Sequence, residues 1–148
     1  MNEGITLKEI LLNLSEVTTY NEISKFNISR NHMWKSTKRA LNRKSFNPCN
    51  KLSVNFTDDI GTSEGAVDLG GPAREFFTLV TEWIVNSQLF VRGITSKFLS
   101  LNARCLEDRE YYLAGQIFAM SLVHGSPALK CLADACYDAT QCYTGRCP

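Results

Sequence analysis

"EGAVDLGGPAREFF", residues 64–77, sets an acidic, glycine-rich turn against a proline, an Arg-Glu pair and two phenylalanines. Three chemistries use such a string. A phosphate loop needs the GxxxxGK[ST] spacing and its lysine, which are absent, and Glu64 and Asp68 would repel a phosphate at close range. Acid/base work could draw on Asp58, Asp59, Glu64 and Asp68, but no positioned histidine or metal ligand stands beside them, and they read as a solvated acidic loop. A helix start fits every position. Gly70 and Gly71 allow a positive φ or a tight turn, Pro72 suits a first turn whose N–H has no intrahelical partner, and Asp68 can accept the orphan amides. Arg74 and Glu75 are then expected to anchor neighbouring segments by hydrogen bonds or ion pairs. The structural motif is therefore Asp68, Gly70, Gly71, Pro72, Arg74 and Glu75.

Downstream, Phe76, Phe77, Val80, Trp83 and Ile84 share one helical face, so a helix runs from Pro72. Upstream, "KLSVNFT" (51–57) alternates Leu52, Val54 and Phe56 against polar residues, the pattern of a strand with one wet face. Before it, "NHMWKSTKRALNRKSF" (31–46) places Met33, Trp34, Thr37, Ala40 and Leu41 on one side of a helix and Lys35, Lys38, Arg39, Arg43 and Lys44 on the other. "KFNIS" predicts a short strand with Phe26 and Ile28 together. "TLKEILLNLSEV" (6–17) predicts a first helix with Leu7, Ile10, Leu11 and Leu14 inside and a capping box between Thr6 and Glu9.

Beyond the central helix, "QLFVRGITSKFLSLN" (88–102) predicts a hairpin turning near Gly93. "DREYYLAGQIFAMSLVHG" (108–125) predicts a helix capped by Asp108, stopped by Gly125, and buried through Tyr111, Leu113, Ala114, Ile117, Phe118 and Leu122. A last short helix is expected from Pro127 toward Tyr137. The class is α+β, predominantly helical, as one domain over residues 1–148.

Composition narrows the partners. A net charge of +1, with 44% hydrophobic and 21% charged residues, gives no whole-molecule field for nucleic acid or anionic membrane. No apolar run reaches the roughly 18–20 residues of a membrane span, and the opening "MNEGITLKEILLNL" reads as an amphipathic helix, so an intracellular place in cytoplasm or nucleus is expected. The three Asn-x-Ser/Thr triplets carry no weight in such a chain. Cys49, Cys105, Cys131, Cys136, Cys142 and Cys147 are accordingly expected as free thiols. The last four lack the CxxC pairs of a zinc site, so no metal or cofactor is expected. His124 is expected to meet the last carbonyls of its helix.

The order of elements carries a resemblance. "FNISR", a helix, "LSVNF", a Gly/Glu loop, "DLGGPAREFF" opening an aromatic helix, and "YYLAGQIFAMSLVHG" together resemble the start of the N-terminal lobe of HECT-type ubiquitin ligases, and most of all their divergent cell-cycle-phase-specific vertebrate members. The resemblance spans roughly residues 5–137, and Asp68, Gly70, Gly71, Arg74 and Glu75 are its most specific part. It implies the large subdomain of that lobe. In the family, ubiquitin passes from a conjugating enzyme to a cysteine of the C-terminal lobe and then to a substrate lysine, a covalent relay. The docking subdomain and the catalytic lobe come later in the family and are not matched here. "ATQCYTGRCP" is faintly similar to the catalytic Thr-Cys-Phe surroundings, but it comes too early, and Cys142 is taken as non-catalytic.

Two functions stand open at this point. One is a scaffold portion of a HECT-type ligase, inactive alone, with no catalytic residue of its own and with self-association expected through the region after Phe118. The other is a small nucleic-acid or anion-binding module using the basic helix 32–44, through Lys35, Lys38, Arg39, Arg43 and Lys44.

Overall fold

Two alternating stretches of sequence lie side by side as a parallel pair, and a parallel pair obliges the chain between them to cross over. In the computed structural model, which describes residues 5–58, 60–63, 65, 70–93 and 96–126, that crossover is the basic helix. The order is α1 (Leu7–Glu16), β1 (Thr19–Ser29), α2 (Met33–Leu41), β2 (Asn50–Thr57), α3 (Gly71–Asn86), β3 (Phe90–Arg92), β4 (Lys97–Leu99), α4 (Ala103–Glu107) and α5 (Glu110–Val123). The fold is α+β, with a βαβ unit made by β1, α2 and β2, and an antiparallel hairpin made by β3 and β4.

Register places the apolar residues of the parallel pair on one face, with Ser24, Phe26 and Ile28 opposite Leu52, Val54 and Phe56. Each of these residues is buried. Helix α2 packs on β1 and α3 on β2, so both helices share the core with the sheet. Phe26 stands at its centre, edge-on to Phe76 with ring centroids 5.9 Å apart and tilted against Phe46 at 5.6 Å. Strand β1 is longer than "KFNIS" suggests. Its start at Thr19 reaches the beginning of β2 only across an irregularity between Thr19 and Ile23, so the partner strand, not the side-chain pattern, sets its length.

The capping box of α1 forms as expected: the Thr6 amide donates to the Glu9 carboxylate at 2.7 Å and the Glu9 amide to Thr6 Oγ1 at 3.3 Å. The expected burial does not follow. Leu7, Ile10 and Leu14 are 71%, 44% and 46% exposed, because local capping makes a helix whether or not a surface covers it, and α1 meets only part of α5.

The α5 region differs in two further ways. Asp108, expected to cap α5, instead ends α4, a short helix that Asn102 opens by accepting the Cys105 amide at 3.3 Å. Arg109, in left-handed backbone at φ 56°, then stands before α5. Leu122 is half exposed, and the buried face runs through Glu110, Leu113, Ala114, Ile117, Met120 and Ser121. Each residue along a helix is rotated by about 100° from the one before, which carries Leu122 out of the stripe that Ser121 ends. Gly125 stops the helix as expected. At φ 69° its N–H donates to Leu122 O (3.2 Å) while Ser126 N–H donates to Ser121 O (2.8 Å), the paired bonds of a Schellman motif. The expected helix from Pro127 to Tyr137, and with it Cys131, Cys136, Cys142 and Cys147, lies outside the described residues.

Candidate functional site

The opening motif lands on the first turn of α3. Gly70 takes φ 100°, the left-handed region that glycine enters without a Cβ penalty, and Pro72 follows within the first two helical positions. Asp68 lies outside the described residues. Glu75, just past this turn, reaches Arg30, the residue after β1, whose Nη1 donates to Glu75 Oε1 at 2.8 Å. The same guanidinium covers the Phe56 ring at 4.0 Å. Three elements thus converge on Arg30: the end of β1 that precedes it, the last apolar residue of β2 beneath it, and the N-terminal part of α3 beside it.

The two side chains of the pair are 40% and 48% exposed, so water screens their attraction and the pair contributes a few tenths to about 1 kcal/mol. Stacking on Phe56 adds a contribution of similar size. The joint therefore fixes geometry more than stability. Arg74 is exposed and finds no ion-pair partner among the described residues, so the expected anchoring falls to Glu75 alone.

A second cluster was not legible beforehand. Lys38 of α2 donates to Glu110 Oε1 at the start of α5, and the Cys105 thiol of α4 feels the same carboxylate. Glu110 is buried, and Cys105 is almost wholly so. Burial first, and then the neighbouring Glu110 charge, push the Cys105 thiol above its usual range. A thiol held protonated is a poor nucleophile, so Cys105 lacks the makings of a catalytic cysteine. A signal did exist: Glu110 falls three and four positions before Leu113 and Ala114, on the apolar stripe, where a charged residue must find a partner.

Aromatic residues complete the frame. Trp83, expected inside, is 41% exposed and stacks on buried Trp34 with centroids 5.4 Å apart and planes 18° apart. Beside it opens a groove of about 600 Å³ edged by Met33, Leu79 and Trp83 with Arg30 and Glu82 at the rim. Tyr111, from "YYLAG", is half-buried and donates its hydroxyl to Ser100 O at 2.6 Å while accepting the Asn102 amide at 3.2 Å, which pins the segment between β4 and α4. His124 stacks on Phe77 at 5.7 Å instead of meeting helix carbonyls through Nε2, which has no partner among the described residues. Its burial lowers its pKa and keeps the ring neutral.

The cations of residues 32–44 do not form one patch. Lys38 is bound to Glu110, Lys35 and Arg39 face one pocket, and Arg43 lines another beside Ser24 and Phe46. No group of three His, Cys, Asp or Glu side chains suited to a metal occurs among the described residues. No helix among them is long and apolar enough to cross a membrane.

No protein-family model matches the chain. Curated relatives do. The human G2/M phase-specific E3 ubiquitin-protein ligase is 36% identical over 104 residues, which cover 68% of this chain and 14% of the ligase. The protein of the same name from Macaca fascicularis matches equally, and that from Gallus gallus is 32% identical over 122 residues, covering 82% of this chain and 16% of its own length. The chain thus spans about one seventh of the length of these relatives. With the Arg30 joint, the Gly70 turn and the Tyr111 tether inside one α+β frame, the chain is related over most of its length to a segment of E3 ubiquitin-protein ligases.

Proposed function

We propose that this chain serves as the large-subdomain scaffold of a HECT-type N-terminal lobe and carries no ubiquitin thioester of its own. The observation that carries the reading is the Arg30–Glu75 pair, which joins the strand-ending arginine to the Arg-Glu helix start inside a region related to E3 ubiquitin-protein ligases. A ligase of this kind must hold its donor cysteine and acceptor lysine in register across a long chain, and effective molarity is lost when the frame loosens. The parts described here suit that task. Their charged residues pair one element to another, and the buried Cys105 thiol is held protonated. Conjugating enzyme and ubiquitin are then partners of the whole ligase, engaged by parts outside this scaffold.

The test has two arms. The isolated chain, mixed with ubiquitin-charged conjugating enzyme, is expected to yield no thiol-sensitive ubiquitin adduct. The human relative, carrying this chain in place of its matching segment, is expected to keep self-ubiquitination. A dithiothreitol-sensitive adduct lost on Cys142→Ala would overturn the scaffold reading. So would a folded chimera that charges with ubiquitin no better than the relative with that segment deleted.

A further inference from the structure

We infer that the pocket at the carboxyl ends of β1 and β2 binds a phosphomonoester dianion presented on a polypeptide. The pocket has a volume of about 390 Å³ and is formed where Ser29 ends β1, Thr57 ends β2 and α2 begins. Into it come His32, Lys35 and Arg39, all exposed and none of them in an ion pair with a described acid. Lys35 and Arg39 lie four positions apart on α2, one turn above the other, so their charges converge on one volume.

Asp58 also lines the pocket, and its charge opposes an anion. Its Oδ1 already accepts the amides of Ile60 (3.0 Å) and Thr62 (2.7 Å), so that oxygen is turned to holding the loop around Gly61. Among the described lining residues Lys35 and Arg39 outnumber it two to one. Crevices outside the carboxyl ends of parallel strands are where α/β units collect ligands, and the amides at the start of α2, which no side chain caps, add to the same field. The cations carry the inference. A guanidinium and an ammonium make their strongest hydrogen bonds to oxyanions.

The choice of a phosphorylated side chain over a nucleic acid follows from how the charges are distributed. A polynucleotide needs a track of cations with rings for its bases. Here Lys38 is committed to Glu110 and Arg43 serves another pocket, which leaves a single point of charge. Among the described residues no Phe, Tyr or Trp lines the pocket. Ile60 does, at 90% exposure, and offers an apolar contact to a residue flanking the phosphate. The volume exceeds what one phosphate fills and lies at the small end of ligand sites, enough for the residue that carries the group.

Amide shifts of the full ¹⁵N-labelled chain, at about 50 mM salt so that surface charge is only partly screened, test this with a short, otherwise uncharged phosphoserine peptide. Saturable shifts are expected at residues 29–36 and 57–61. Binding should weaken at least roughly tenfold for the unphosphorylated peptide and for Lys35→Glu/Arg39→Glu. Arg43→Glu/Lys44→Glu, with the same change in net charge, should leave it unaltered. Equal loss in that control pair, equal binding without the phosphate, absence of saturable shifts, tighter binding of oligo(dT), or inorganic phosphate binding as well as the peptide would each overturn the inference. None of these outcomes bears on the thioester and chimera tests above.

Discussion

Replacing either partner of the Lys38–Glu110 pair should cost stability unequally, and the inequality follows from burial. The Glu110 side chain is 10% exposed and the Lys38 side chain 32%. Removing one partner of a fully buried pair costs about 3–5 kcal/mol, because the other charge is left without compensation in a poorly solvated site. In Lys38→Met the stranded group is the buried carboxylate at the base of α5, and about 2–3 kcal/mol is expected after allowance for the wet side of the pair. In Glu110→Gln the stranded group is an ammonium on a flexible stem that already reaches water, and about 1 kcal/mol is expected. Lys38→Met/Glu110→Gln should recover part of the sum, with a coupling of about 1–2 kcal/mol. Urea unfolding followed by the fluorescence of Trp34 and Trp83 reads these differences, since the Lys38 ammonium lies 6.0 Å from the Trp34 ring. A larger loss in Glu110→Gln than in Lys38→Met, or additive single effects, would refute the view that a half-wet ion pair holds α2 to α5.

Two further perturbations check other parts of the frame. In Gly93→Ala the new Cβ would lie 2.5 Å from the Ser96 carbonyl oxygen and 2.7 Å from the Phe98 ring, so the hairpin must open, and a loss of about 1–3 kcal/mol is expected in the same unfolding assay; an unchanged midpoint would contradict the close approach. His124 is held neutral by burial, so its folded pKa lies below the unfolded value of about 6.5 and the unfolded chain takes up the extra proton in acid. Its contribution is thus complete above about pH 6.5 and is lost as pH falls below it. Between about pH 7.5 and 5.5 the parent should lose more stability than His124→Phe, which keeps a ring against Phe77; parallel loss in both would sink the assignment.

The comparison between sequence and structure divides along the range of the forces involved. Caps, turns and strand alternation act within a few residues, so the Thr6–Glu9 box, the left-handed Gly70, the β2 alternation, the hairpin at Gly93 and the Gly125 stop were all legible from the residues themselves. The buried face of α2 was legible for the same reason, since spacing says which residues travel together. Spacing does not say what they travel toward. Among the described residues Leu7, Ile10 and Leu14 share a face that α5 covers only in part, Leu122 was turned out of the core by one position, and the exposed Trp83 found its neighbour in buried Trp34.

The candidate sites divide the same way. The Arg-Glu motif announced an anchor, but only the parallel pairing of β1 with β2 brings Arg30 within reach of Glu75, 45 residues away. The basic helix announced a patch, and tertiary packing broke it up by drawing Lys38 to a buried carboxylate 72 residues along the chain. The sequence by itself determined the local pieces and the kinship those pieces carry. Tertiary structure decided which charges are spent holding elements together and which remain open to a ligand, because desolvation and pairing depend on neighbours that only the fold supplies.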